Sequence, residues 1–103
     1  MIGVNFTITQ PAAQWYKREL ELEDGAYIRF YARYGGHSDI HKGFSLAISP
    51  EAPTDPAFQT EAAGITFYIE KIDAWYFNEV NFHVKYRRKE DDIIFEFEDQ
   101  QTD

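Results

Sequence analysis

Apolar side chains fall on every second position in six separate stretches of this 103-residue chain: Ile2 to Ile8, Ile28 to Tyr34, Phe44 to Ile48, Ile65 to Ile69, Phe82 to Tyr86 and Ile93 to Phe97. A period of two places one apolar set on one face of an extended strand. Such half-apolar strands are stable only when their faces are stacked, so the chain is committed to sheets around a shared core. Helical spacing occurs in two places only, too few for a doubly wound α/β sheet. The expectation is a mainly β (α+β) fold, a folded two-layer sheet or pseudo-barrel, with an N-terminal helix and one short second helix. At this length it is one domain, residues 1–103.

The punctuation between these stretches sharpens the reading. Thr9 offers an N-cap oxygen and Pro11 suits a first helical turn. Ala12, Trp15, Tyr16 and Leu20 follow at helical spacing, which predicts a helix over 11–22 ended by Asp24-Gly25. Glu21, Glu23 and Asp24 then sit at the unfavourable end of the helix dipole. Tyr27 to Tyr34 predicts a strand with Ile28, Phe30, Ala32 and Tyr34 on one face and Tyr27, Arg29, Tyr31 and Arg33 on the other. It pairs as a hairpin with the strand from Phe44, across Gly35-Gly36 and a polar segment, 37–42. Pro50, Pro53 and Pro56 mark a loop. A short strand over Phe58 to Glu61 turns at Ala63-Gly64 into the next. Lys71 to Phe77 predicts a short helix with Ile72, Trp75 and Tyr76 along one side. Trp15, Tyr16, Trp75, Tyr76 and Phe77 then pack two helices on the sheet. Arg87 to Asp92 is a charged turn, and the acidic tail from Glu98 is expected to fray.

Ten Lys and Arg against 18 Asp and Glu give a net charge of −8. Nucleic-acid binders present a basic face, and anionic membranes repel an acidic protein, so neither is an expected partner. The sequence has no cysteine. A small secreted domain leans on disulfides, so the reading is a cytoplasmic protein. Met1 to Gln10 has no basic n-region, and no apolar run approaches membrane-spanning length.

Several phrases in order carry a family resemblance: Ala12-Ala13-Gln14-Trp15-Tyr16, Arg29-Phe30-Tyr31-Ala32-Arg33-Tyr34-Gly35-Gly36, Gly43-Phe44-Ser45-Leu46, Gly64-Ile65-Thr66-Phe67-Tyr68-Ile69 and Asp73-Ala74-Trp75-Tyr76-Phe77. Together they span roughly 5–97, and the chain resembles the HesB/IscA-like family of iron–sulfur biogenesis proteins, closest to a small bacterial branch. The resemblance implies a mixed folded sheet in a pseudo-barrel, a homodimer, and iron–sulfur assembly proteins as partners. In the family's A-type carriers three cysteines hold iron or a cluster. The position of the first falls on His37, and the Cys-Gly-Cys that supplies the others has no counterpart in Glu98-Asp99-Gln100-Gln101-Thr102-Asp103. Clusters are held by thiolates. The resemblance therefore implies an inherited fold without the carrier ligands.

Two constellations stand as candidate sites. If His37-Ser38-Asp39-Ile40-His41 is extended, His37, Asp39 and His41 share a face. Two imidazoles and a carboxylate are a ligand set of non-haem iron and of some zinc sites, which makes iron the candidate cofactor. The alternative is a polar hairpin tip with Asp39 capping backbone donors. The ladder Tyr27, Arg29, Tyr31, Arg33 offers guanidinium groups between aromatic faces, suited to a protein partner. Its alternative is mutual stacking on a solvated sheet. His83, alternating with apolar strand residues, reads as a surface histidine. No catalytic machinery is legible: Ser38 beside His37 lacks a nucleophile elbow, and Gly35-Gly36 is no phosphate loop. The expected function is a non-enzymatic domain of the iron–sulfur biogenesis type, or a protein-interaction domain without metal chemistry.

Overall fold

The computed structural model describes residues 5–35, 44–77 and 80–99. Strand β1 (Phe6–Ile8) leads into helix α1 (Gln10–Glu19), then β2 (Tyr27–Tyr34), β3 (Phe44–Ser49), β4 (Pro56–Ala62) and β5 (Ile65–Glu70). A 3-10 helix (Lys71–Phe77), β6 (Val80–Arg87) and β7 (Asp92–Asp99) complete the order. The strands form two mixed sheets, β1-β6-β7 and β3-β2-β5-β4. β1 runs parallel to β6 and β2 parallel to β5, while the other pairs are antiparallel. β1 lies against β4, so the sheets approach on that side. On the other side β7 and β3 are the outermost strands, and no closed barrel results.

Phenylalanines fill the space between the sheets. Phe82 stacks on Phe6 at 5.5 Å and on Phe97 at 5.2 Å, and meets Phe30 edge-on at 5.5 Å. Tyr16 brings the helix onto this cluster beside Phe30 and Phe67. Ile28, Phe30, Ile65, Phe67, Ile69, Phe77, Phe82 and Val84 have no exposed surface.

Local details depart from the sequence reading in five places. Helix α1 starts as expected, with Thr9 Oγ1 accepting from the Ala12 N–H at 3.2 Å, but it ends at Glu19 rather than at 22. Leu22 N–H donates to the Lys17 carbonyl and Glu21 N–H to the Arg18 carbonyl, with Glu21 at φ 54°. This is a Schellman stop, with Glu21 in the left-handed position that glycine usually fills; Gly25 belongs to the next turn. The Lys71–Phe77 segment is a 3-10 helix, and its inward residues are Asp73, Tyr76 and Phe77, while Ile72 is 74% and Trp75 45% exposed. A 3-10 helix repeats every three residues, so Ile72 and Trp75 share an outward line with 72 and 75 three apart. Tyr34, expected with Ile28 and Phe30, is 86% exposed where β2 outruns the core.

β4 also exceeds its expected span, beginning at Pro56, with a bulge between Pro56 and Phe58. A proline is admissible there because it is the strand's first residue. β7 continues through Glu98 and Asp99, whose positions pair with Asn81 and Val80, so the strand occupies ground expected to be tail.

Candidate interaction site

The ladder of β2 resolves into two environments. β2 pairs with β5 only from Tyr27 to Arg29, where β5 gives way to the 3-10 helix. The backbone donor of Ala32 is thereby released from the sheet, and the Asp73 carboxylate accepts it at 3.4 Å. The other Asp73 oxygen takes Arg29 Nη2 at 2.7 Å. Asp73 thus replaces a missing strand neighbour and neutralises a half-buried guanidinium. Arg29 also lies 3.7 Å from Glu51, and its Cζ sits 5.2 Å from the Tyr31 ring centroid. The Asp73 hydrogen bond holds Arg29 above its ordinary pKa against the opposing effect of burial. Tyr27 packs edge-on against Tyr68 at 6.4 Å.

Glu70 extends this polar cluster. Its two oxygens accept the N–H groups of Thr54 and Asp55, each at 2.8 Å. Burial works to raise the Glu70 pKa, but those two backbone donors and the nearby Arg29 charge hold it below the usual carboxylate range. Burial pushes the Tyr68 hydroxyl up to about 12, with Glu70 and Glu51 adding to the shift. The Tyr68 hydroxyl donates to the Glu51 carbonyl. A cleft of about 240 Å³ lies over Arg29, Glu51, Glu70 and Ile72. Most of its charges already have internal partners, so the cluster acts chiefly as a clamp between the proline loop, β2 and the 3-10 helix.

Arg33 belongs elsewhere. It lines an open groove of about 690 Å³ between β3 and β7. Leu46, Ile48, Ile93 and Phe95 form its sides, and Trp15, Tyr16, Glu19 and Leu20 of α1 face it. Leu20 at 41% and Phe95 at 37% are among the exposed large apolar side chains. The hairpin tip between β6 and β7 is pinned to α1 beside the groove. Trp15 Nε1 donates to the Asp91 carbonyl at 3.0 Å, and Arg18 and Tyr86 donate to the Asp91 carboxylate. Sequence reading missed both Asp73 and this groove. The one available signal for the groove was the uncharged run Phe44 to Ser49.

The candidate ligands His37, Asp39 and His41 lie outside the described residues. His83 lies on the outer face of its sheet, half-buried, with Thr7 Oγ1 2.6 Å from its Nδ1 and Glu98 3.5 Å from its Nε2. Among the described residues no three His, Cys, Asp or Glu side chains gather as a metal site, and the sequence holds no thiolate donor. The described residues do not fit an iron–sulfur cluster.

A two-sheet α+β fold with one flanking helix defines the class, and comparison gives it a known counterpart. The fold is similar to Escherichia coli SufA, involved in biosynthesis of iron-sulfur clusters, at a TM-score of 0.54 and 21% identity, covering 99% of this chain and 92% of SufA. The model of the iron-sulphur cluster biosynthesis family matches residues 4–103, and the chain belongs to that family. The chain is also 45% identical over 95 residues to a Bacillus subtilis protein named Pyruvate dehydrogenase inhibitor, covering 92% of this chain and all of that one. An uncharacterised Staphylococcus epidermidis protein is 34% identical, over 89% of this chain and 97% of its own. Among the described residues no helix is long and apolar enough to cross a membrane.

Proposed function

We propose that this chain is a non-enzymatic cytoplasmic regulator that works by binding a protein, with pyruvate dehydrogenase as its first candidate target. The observation that carries this reading is the 45% identity to the Bacillus subtilis inhibitor across that protein's full length. Two further features support it. The thiolates on which cluster transfer depends are absent, and the surface offers exposed apolar side chains beside an open groove. The test is titration of purified chain into a pyruvate dehydrogenase assay, with and without a chelator, alongside co-purification of the two. The expected result is dose-dependent, chelator-insensitive inhibition with a stable complex. Neither inhibition nor complex at micromolar concentration overturns the reading. Arg33→Glu is the informative surface variant, because Arg29→Glu would set a carboxylate against Asp73 and confound binding with folding.

A second reading rests on the family match and on the resemblance that sets His37 at the position of the A-type carriers' first cysteine. In it, His37, Asp39 and His41 supply nitrogen and oxygen ligands to iron, completed by a second protomer. Metal analysis of untagged protein reconstituted with iron and sulfide separates the two readings. Stoichiometric iron lost in His37→Ala supports the metal site, and its absence removes it.

A further inference from the structure

We infer that the groove between β3 and β7 accepts an extended segment of a partner protein, added as a strand to the edge of β3, and that this segment is flanked by lysine or arginine. The inference deepens the protein-binding reading above by naming the surface and the kind of segment.

A terminal strand exposes unpaired backbone donors and acceptors, and folded proteins guard such edges with charge, proline, bulges or a covering element. Three of the four edges here are guarded. β4 opens on Pro56, carries a bulge, and lies against β1, so each shields the other. β7 carries Asp92, Glu96 and Glu98. Among the described residues β3 shows none of these devices: Phe44–Ser49 reads Phe-Ser-Leu-Ala-Ile-Ser, without charge or proline, and no described strand pairs with its outer side. A six-residue uncharged segment of this kind is a template for strand addition.

Register shows which groups are on offer. The Ala32 N–H points away from β3, toward Asp73. The pairs Ala32–Leu46 and Phe30–Ile48 are therefore the non-hydrogen-bonded ones of the antiparallel ladder. The backbone N–H and C=O groups of Leu46 and Ile48 consequently face the groove side, while their side chains line its wall. An added strand of five or six residues, about 17–20 Å long, matches the length of β3. Its inward side chains would cover Leu20 and Phe95.

Charge selects the occupant. The chain carries −8 overall, and the groove is lined by Asp92 and by Glu19, which pairs with Arg18 at 3.2 Å, against the single cation Arg33 among its lining residues. A second copy would bring another −8 to this edge, whereas a segment with basic flanks meets complementary charge.

The test uses the whole chain, labelled with nitrogen-15, and two probe decapeptides. One alternates valine and threonine with two lysines at each end; its twin has glutamates in place of the lysines. Amide exchange at Leu46 and Ile48 is expected to slow by about tenfold with the lysine peptide and to stay unchanged with the glutamate twin. Ala47→Lys, which guards the edge, and Leu20→Arg, which repels the flank, are each expected to abolish that slowing while circular dichroism stays native. No slowing with either peptide overturns the inference, as does equal slowing with both. Slowing in the chain alone that grows with its concentration assigns the edge to a second copy and overturns it too. The dehydrogenase assay keeps the two claims separable. Inhibition by the wild type that survives Ala47→Lys leaves the regulator reading standing and excludes the groove as its surface. Peptide binding without inhibition leaves the groove standing and removes the dehydrogenase.

Discussion

Asp73 shows how much one carboxylate can hold. It caps a strand donor that β5 no longer reaches and balances Arg29, and its own side chain is 9% exposed. Removing it leaves a half-buried cation and an unpaired backbone N–H. Asp73→Ala is expected to cost about 3–5 kcal/mol, and a chemical denaturation curve reads it directly. Asp73→Asn should recover only part, since it keeps an acceptor and loses the charge. Glu21 presents the opposite case. It sits at φ 54° at the end of α1, strained as a non-glycine residue and negative at the negative end of the dipole. Glu21→Gly relieves both and is expected to stabilise the fold by about 1 kcal/mol, visible as a raised melting temperature. The acidity of this position was evident in the sequence. Its backbone conformation was not, because the stop is set by Leu22 joining the core, which only the folded chain defines.

At the scale of elements, β6 carries the side chain that joins the layers. β6 supplies Phe82, which touches aromatic rings from β1, β2, the 3-10 helix and β7. Phe82→Ala is expected to cost about 3–5 kcal/mol, with loss of near-ultraviolet circular dichroism before loss of secondary structure. The turn joining β4 to β5 is a second sensitive place. Ala63 at φ 55° and Gly64 at φ 79° form a two-residue hairpin loop with both residues left-handed. A Cβ on Gly64 would lie 2.5 Å from Asp24 Oδ1, the oxygen that receives Lys17. Gly64→Ala should therefore destabilise by at least about 1–2 kcal/mol, while Ala63→Gly should not. The strands of this region were legible because period two is unambiguous. The two-sided burial of β5, with Tyr68 as hidden as Phe67, was not. Alternation marks one apolar face, and the second face is covered by a loop from elsewhere in the chain.

For the molecule as a whole, the acidic surplus is partly absorbed by specific bonds, and this sets the response to acid. Hydrogen bonds from Lys17 to Asp24, from Tyr86 and Arg18 to Asp91, and from Lys85 to Glu96 hold those carboxylates below their ordinary range. Glu70 is held down in the same direction by backbone donors that outweigh its burial. A carboxylate with a lowered folded-state pKa contributes stability that is complete above its unfolded value and is lost as pH falls through the folded one. The melting temperature is thus expected to be nearly flat from about pH 8 to 5.5 and to fall below about pH 4.5. Glu70→Gln should lower it at neutral pH and shallow the acid limb, which calorimetry across that range measures.

The sequence by itself determined that this chain is a small, mainly β, cysteine-free acidic domain, and the phrases from Ala12 to Phe77 were enough to place it in its family. Those properties follow from short-range pattern and composition. Only the tertiary structure decided that the Tyr27–Arg33 ladder is divided between an internal clamp and a groove, and that among the described residues no strand pairs with the outer side of β3. Which strands end a sheet, and which carboxylate reaches a released backbone donor forty-one positions away, depend on contacts between distant parts of the chain. Local spacing does not encode them.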